Sequence, residues 1–333
     1  MITTLGQIKP FIPMLLDAGI CPFIHSSPGI GKSAFARQIA KDKNLKFIDI
    51  RLSDMEPSDI VGLPAFVDGR AHFTPFTTFP IDTDEVPEGY DGWLIMLDEF
   101  SSGNQSVQAA CYKLILDRQV GQYDLHPKAF LMAAGNLETD NAIVNPMGSA
   151  LISRFAHFYV ETSHKEWMEW ASGNLDIRVT SFIGRFPKHL NTFDADASKP
   201  YSCQRTYHML SDAINGRKID TSFMPLVSSL IGEGIANEFI AFSSLYADLP
   251  DFQSIIDNPD TVEVSDNMSI RWAIMGLISH SIDEENAKQC ATYLKRLPTE
   301  LQVCALRQIK AHKPDLLYNE ISDWALEVAK KIF

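Results

Sequence analysis

Cys21-Pro22-Phe23-Ile24 runs through His25 into Ser26-Ser27-Pro28-Gly29-Ile30-Gly31-Lys32-Ser33, and then into residues 34–41. The first run is short and apolar, as a buried strand is. The last carries helix formers with an apolar stripe at Phe35, Ala36, Ile39 and Ala40. Between them the pattern GxxxxGK[ST] is met except at its first position, where Ser26 replaces glycine. Gly29 and Gly31 let the backbone turn its N–H groups toward an anion, and the following helix presents its positive end to the same point. Ser27, Pro28, Gly29, Ile30, Gly31, Lys32, Ser33 and Ala34 are therefore the expected phosphate-binding residues. Lys32 can reach the β- and γ-phosphates, and the Ser33 hydroxyl can bind Mg²⁺. The alternative is a chance glycine-rich turn. The strand before and the helix after argue against it.

Working outward, Phe47-Ile48-Asp49-Ile50 reads as a second strand, which makes a βαβ unit and implies a parallel sheet with right-handed crossovers. Trp93 to Leu97 reads as a third, ending at Asp98-Glu99. A hydrophobic strand ending there would deliver Asp98 to the Mg²⁺ shell at the sheet edge, while Glu99 would orient and polarise an attacking water. The competing reading is a core strand that ends in solvated acids. Further strands are expected at 129–133, ending at Gly135-Asn136, and at 156–160, with helices at 8–18, 105–116 and 149–153. The fold class expected is α/β, a P-loop NTPase parallel sheet of about five strands with helices on both faces. An α-helical lid and further C-terminal helices follow, the amphipathic segments being 268–282, 287–297, 300–312 and 318–332.

Residues 53–92 lose helical periodicity, broken by Pro57, Pro64, Pro75, Pro80 and Pro87. Within them Phe66-Val67-Asp68-Gly69-Arg70-Ala71 predicts a small hairpin, and 119–125, with Gly121, another. The expected organisation is a nucleotide-binding core over 1–162 with insertions near 53–92 and 119–125, a lid over 163–245, and a C-terminal helical region over 246–333. Linkers are expected at 194–200 and 257–265.

The chain has 333 residues and a formal charge of −13, from 42 acidic against 29 basic residues. That balance argues against general binding to nucleic acid or anionic membranes. Five scattered cysteines with no CxxC pair favour reduced thiols in a cytoplasmic protein. No apolar run approaches the ~20 residues that span a bilayer, and the first residues do not read as a signal peptide. The histidines form no HExxH or paired metal spacing. Trp167 and Trp170 read as core or lid packing, and Arg178, Arg185, Lys188 and His189 as a solvated face.

The order Lys32, Asp98-Glu99, Asn136, Arg154 resembles an AAA+ ATPase, and most the MoxR branch with its CbbQ and NorQ relatives. The resembling text is Ser53-Asp54-Met55-Glu56-Pro57-Ser58-Asp59-Ile60-Val61-Gly62, Leu97-Asp98-Glu99-Phe100, Ala133-Ala134-Gly135-Asn136 and Ala150-Leu151-Ile152-Ser153-Arg154-Phe155. Tyr201-Ser202-Cys203-Gln204-Arg205-Thr206 resembles the family's lid segment more loosely. The resemblance implies ATP and Mg²⁺ as ligands and catalytic roles for Lys32, Glu99, Asn136 and Arg154. Asn136 would sense the γ-phosphate, or merely cap a turn. Arg154 would be an arginine finger reaching a neighbouring subunit, or a surface arginine before a strand. Arg205 would be a lid arginine on the nucleotide, or half of an ordinary helix-surface ion pair. A homo-oligomeric ring, hexameric as is usual for the family, is implied too. Its client would be a protein, with a von Willebrand A domain among the candidates. Phe66, Phe73, Phe76 and Phe79 would grip that client in a central pore, or pack beneath their own loop. Two rivals remain: the ATPase subunit of a DNA-processing machine, and a nucleotide switch that does not hydrolyse.

Overall fold

The computed structural model describes residues 2–140, 145, 147–195, 199–247 and 249–332. Its strands are β1 (Ile2–Thr3), β2 (Cys21–His25), β3 (Leu45–Arg51), β4 (Leu63–Val67), β5 (Arg70–Thr74), β6 (Gly92–Asp98), β7 (Gln119–Val120), β8 (Tyr123–Asp124), β9 (Ala129–Gly135) and β10 (Phe155–Val160). Six of them form one sheet in the order β1-β10-β2-β9-β6-β3, and every pairing is parallel. The sixth strand, β1, pairs only Ile2 with Tyr159 and Thr3 with Val160. Two residues are too few to show an alternation, so no periodicity announces it.

The central strands read as unbroken apolar runs because both of their faces are covered. Side chains of successive residues leave opposite faces. Phe23, Ile95, Leu97, Leu131 and Ala133 enter one core with Val107, Cys111 and Leu114 of the Gln105–Leu116 helix. Ile24, Leu94, Met96, Met132 and Ala134 enter the other. There they meet Ile12 and Leu16, and also Ala36, Ile39 and Ala40 of the Lys32–Asp42 helix. This is the P-loop NTPase type of α/β fold. The helix expected over 8–18 is broken into Leu5–Ile8 and Phe11–Asp17 around Pro10, since proline cannot donate to the turn before it.

Both expected hairpins form. β4 and β5 pair antiparallel with Val67 opposite Arg70. Their turn residues Asp68 and Gly69 both take positive φ, 51° and 75°, which matches the twist of two-residue hairpins. β7 and β8 fold about Gly121. A Cβ on Gly121 would lie 2.5 Å from the Val61 carbonyl oxygen, so only glycine lets this hairpin approach.

The chain divides into two compact units: Met1–Thr162 with Asp194–Asp196, and the remainder. The second unit is helical. One of its cores gathers Trp167, Phe182, Tyr207 and Phe239, and another gathers Ile278, Tyr293, Leu301 and Trp324. Within it the Met268–Ser281 helix packs against both Ile177–Arg185 and Thr299–His312. The crossing is close because it uses small residues: a Cβ on Gly276 would meet Ser181 Oγ at 2.1 Å, and one on Gly184 would meet the Trp272 ring at 2.4 Å. The last expected helix, over 318–332, begins later, at Ser322–Ile332, and a separate short helix, Pro314–Tyr318, precedes it.

Of the basic stretch expected as a solvated face, Arg178, Arg185, Lys188 and His189, only Lys188 is solvent-exposed. Arg178 donates to both carboxylate oxygens of Asp176 and to the carbonyls of Ile214 and Arg217. His189 is buried and meets Glu238 at 3.1 Å. Trp167 is core, whereas Trp170 is exposed. Among the described residues no helix is long and apolar enough to cross a membrane. Four cysteines are buried and Cys304 partly so, all five as free thiols.

Candidate functional site

Because the strands are parallel, the loops after β2, β6 and β9 leave the same edge of the sheet. The loop after β2 turns through Gly29 and Gly31 at φ 83° and 94°, conformations that favour glycine. Gly31 then caps the Lys32–Asp42 helix without any side-chain hydrogen bond. The helix therefore offers its first N–H groups and its positive end with no side-chain cap in the way.

Lys32 folds back over this cradle. Its ammonium donates to the Ser26 carbonyl oxygen at 2.9 Å, Ser26 Oγ at 3.0 Å, Asn136 Oδ1 at 3.2 Å and the Ser27 carbonyl oxygen at 3.4 Å. Asn136 follows β9, the strand beside β2, and its own carbonyl accepts from Ser101 Oγ at 3.2 Å. Ser27 Oγ donates to Asp140 Oδ1 at 3.0 Å, and Asp140 Oδ2 accepts from the Leu137 N–H at 3.1 Å. One carboxylate thus ties the loop to the end of β9. Nothing in spacing or periodicity marks Asp140, 113 residues from Ser27.

Ser33 Oγ donates to Asp98 Oδ2 at 2.6 Å. A hydroxyl beside a carboxylate is a hard-oxygen pair that suits Mg²⁺, which keeps several waters and borrows phosphate oxygens. Among the described residues no cluster of three or more His, Cys, Asp or Glu could hold a metal unaided. Ser33 and Asp98 would hold the cation, and it would supply charge neutralisation for the phosphates.

Glu99 takes a left-handed φ of 54° at the end of β6, and its N–H donates to Asp98 Oδ1 at 2.8 Å. Its carboxylate accepts a short hydrogen bond from Ser53 Oγ. The register of β3 on β6 places Arg51 opposite Asp98, so Ser53, two residues on, falls beside Glu99. Spacing alone gives Ser53 no role, because only strand pairing brings it beside Glu99.

Gly135 makes the close approach of β9 possible. A Cβ there would lie 2.2 Å from Ser101 Oγ and 3.1 Å from the Phe23 ring. We expect Gly135→Ala to destabilise the fold by about 1–3 kcal/mol through overpacking, read as a lower urea midpoint at unchanged slope.

At the other side of the loop, His25 is buried and stacks on Phe23 at 3.9 Å. Its Nε2 lies 2.8 Å from His157 Nδ1. Burial pushes the His25 imidazole down to about 4, with the neighbouring His157 and the Lys32 charge acting in the same direction. A depressed histidine takes its proton more readily unfolded than folded. Stability should therefore fall as the pH drops below about 6.5 and level off near pH 4. At pH 5 the loss is about 2 kcal/mol relative to pH 7. Urea midpoints measured from pH 7 to 5 should fall less steeply for His25→Phe than for the wild type.

The structure brings Lys32, Ser33, Asp98, Glu99 and Asn136 into one cluster. Arg154 lies just before β10 in the same unit, its guanidinium 5.5 Å from the centre of the Tyr112 ring. Arg205 is exposed on the first turn of the Gln204–Ile214 helix, in the second unit. Of the four phenylalanines of the 53–92 stretch, Phe79 is core at 1% exposure, which removes it from any gripping role, while Phe66 is 85% exposed. Phe73 and Phe76 are exposed to a lesser degree.

Fold and loop together define a P-loop type of α/β fold. No protein-family model matches the chain, and no curated protein matches it. Among solved structures, it is similar to a P216G mutant of RuvB from Thermotoga maritima at 15% identity and TM-score 0.41, over 78% of this chain and 77% of that one. A candidate ATPase from Cytophaga hutchinsonii gives 16% identity and TM-score 0.36, over 92% and 84%. The Thermotoga RuvB Holliday junction branch migration motor gives 14% and 0.34, over 94% and 87%. Likeness this loose transfers neither residue roles nor activity.

Proposed function

We propose that the chain binds Mg-ATP in the Ser26–Ser33 loop and hydrolyses it as a subunit of an AAA+ ring of MoxR type. The observation that supports this best is the convergence of four strand ends, those of β2, β3, β6 and β9: Lys32 on Asn136, Ser33 on Asp98, and Glu99 held by Ser53. In this reading Lys32 and the helix end hold the phosphates, Ser33 and Asp98 hold Mg²⁺, and Glu99 orients the attacking water. Asn136 reports on the γ-phosphate, and Arg154 stabilises charge developing in a neighbour's site. Arg205 would add a lid contact.

Loss of the γ-phosphate then shifts the balance between two subunit arrangements, and the ring uses that shift to remodel a client protein in the cytoplasm. The exposed Phe66, beside the turn of the β4–β5 hairpin, is the side chain best presented to such a client. A client with a von Willebrand A domain is the partner the resemblance favours. Pull-down with Glu99→Gln in the presence of ATP, recovering no protein, would count against it.

The decisive measurement is Mg-dependent phosphate release as a function of protein concentration. A shared site predicts that the rate per chain rises with concentration until rings are complete. ATP binding without phosphate release at any concentration would instead mark a switch. A DNA motor would show ATP-stimulated, salt-dependent duplex binding, against which the formal charge of −13 counts.

A further inference from the structure

We propose that His25 and His157 are positioning residues that tie the phosphate loop to the turn carrying Arg154. The inference rests on the shared-site reading above and adds to it the physical link between a subunit's own loop and the arginine it offers its neighbour.

With both imidazoles neutral, the geometry fixes which ring nitrogens donate along the link. His157 Nε2 lies 2.7 Å from the Ile152 carbonyl oxygen. A carbonyl only accepts, so His157 Nε2 carries the hydrogen. A neutral imidazole then has an acceptor at Nδ1, and His25 Nε2, at 2.8 Å, must donate to it. Two N–H groups thus run head to tail from β2 to the Ser149–Ile152 helix, an arrangement in which each bond polarises the next. Burial, with the neighbouring His157 and the Lys32 charge acting in the same direction, keeps His25 neutral at neutral pH.

Both ends of the link are functional in the proposed reading. His25 is the last residue of β2 and directly precedes Ser26, which accepts from Lys32. Ile152 is two residues before Arg154, and the turn between them is stiffened by Arg154 N–H donating to the Leu151 carbonyl at 3.0 Å. The carbonyl of Ile152 would otherwise be one of the orphan acceptors of a helix end. Register explains why the rings meet. Tyr159 pairs with His25 across the β2–β10 ladder, which leaves His157 on the diagonal of the same face. Tyr159 closes the stack at 4.7 Å from His25. A displacement of the loop on filling with phosphate is thereby carried through two rigid rings to the Arg154 turn.

The test is subunit mixing. His157→Phe keeps the ring and loses the donor to Ile152. We expect its KM for Mg-ATP within about twofold of wild type and its kcat lower by on the order of tenfold, as for a catalytic group slightly misplaced. Mixed with Glu99→Gln, which has a dead site and a sound arginine, it should regain phosphate release. Mixed with Arg154→Ala, which shares its defect, it should not. Rescue by Arg154→Ala, rescue by neither, or an undiminished kcat overturns the proposal. Should His157→Phe fail to fold, His25→Phe breaks the same link from the loop side and is judged by the same mixtures. A wild-type chain that releases no phosphate, or an Arg154→Ala chain at full rate, overturns the shared-site reading and the link's role with it.

Discussion

Replacing Lys32 with alanine should weaken Mg-ATP binding by about a hundredfold and bring phosphate release below detection. A hundredfold is about 2.7 kcal/mol, within reach of one charged group that makes several hydrogen bonds to an anion. The structure adds a second reason. The Lys32 ammonium sits among the carbonyls of Ser26 and Ser27 in its own loop and the amide oxygen of Asn136 after β9. Without it, those oxygens face the place where phosphate oxygens must come, and the cradle turns from attractive to repulsive. Isothermal titration with Mg-ATP and a phosphate-release assay check this together. An unchanged dissociation constant would place the nucleotide elsewhere or nowhere.

Glu99→Gln should leave binding nearly intact and still lose turnover. We expect the dissociation constant to stay within about threefold and kcat to fall by on the order of 10²–10⁴, the contribution typical of a positioned general base. Glutamine keeps the shape and can still accept from Ser53 Oγ, but it cannot take a proton from water. Since neither Ser33 nor Asp98 is altered, the cation site should survive. Single-turnover phosphate release beside nucleotide titration separates the two effects. A Glu99→Gln protein that hydrolyses at the wild-type rate would remove Glu99 from the chemistry.

The two variants also divide what was legible in the chain from what was not. Lys32 and Glu99 could be found without coordinates, because each lies in a local pattern: a strand, a glycine turn and a helix for one, a buried strand ending in acids for the other. Ser53 could not, and neither could Asp140 or the His25–His157 pair. Each is defined by a partner far along the chain, 46 residues for Ser53 and Glu99 and 132 for the two histidines. Phe79 shows the same limit from the other side. Its stretch looks like its neighbours in composition, yet Phe79 is core while Phe66 is open to solvent. Burial depends on what the fold lays over a loop.

Alone, the order of residues determined that a phosphate-type loop stands between a buried strand and a helix, that the sheet around it is parallel, and that helices follow. Those properties come from backbone conformation and from hydrophobic period, which act over a handful of neighbouring residues. Tertiary structure decided which side chains meet: Ser33 with Asp98 across 65 residues, and Lys32 with Asn136 across 104. Strand order and register set those meetings, and both are settled by how two faces of one sheet are buried together, a free energy that belongs to the whole core and to no segment of it.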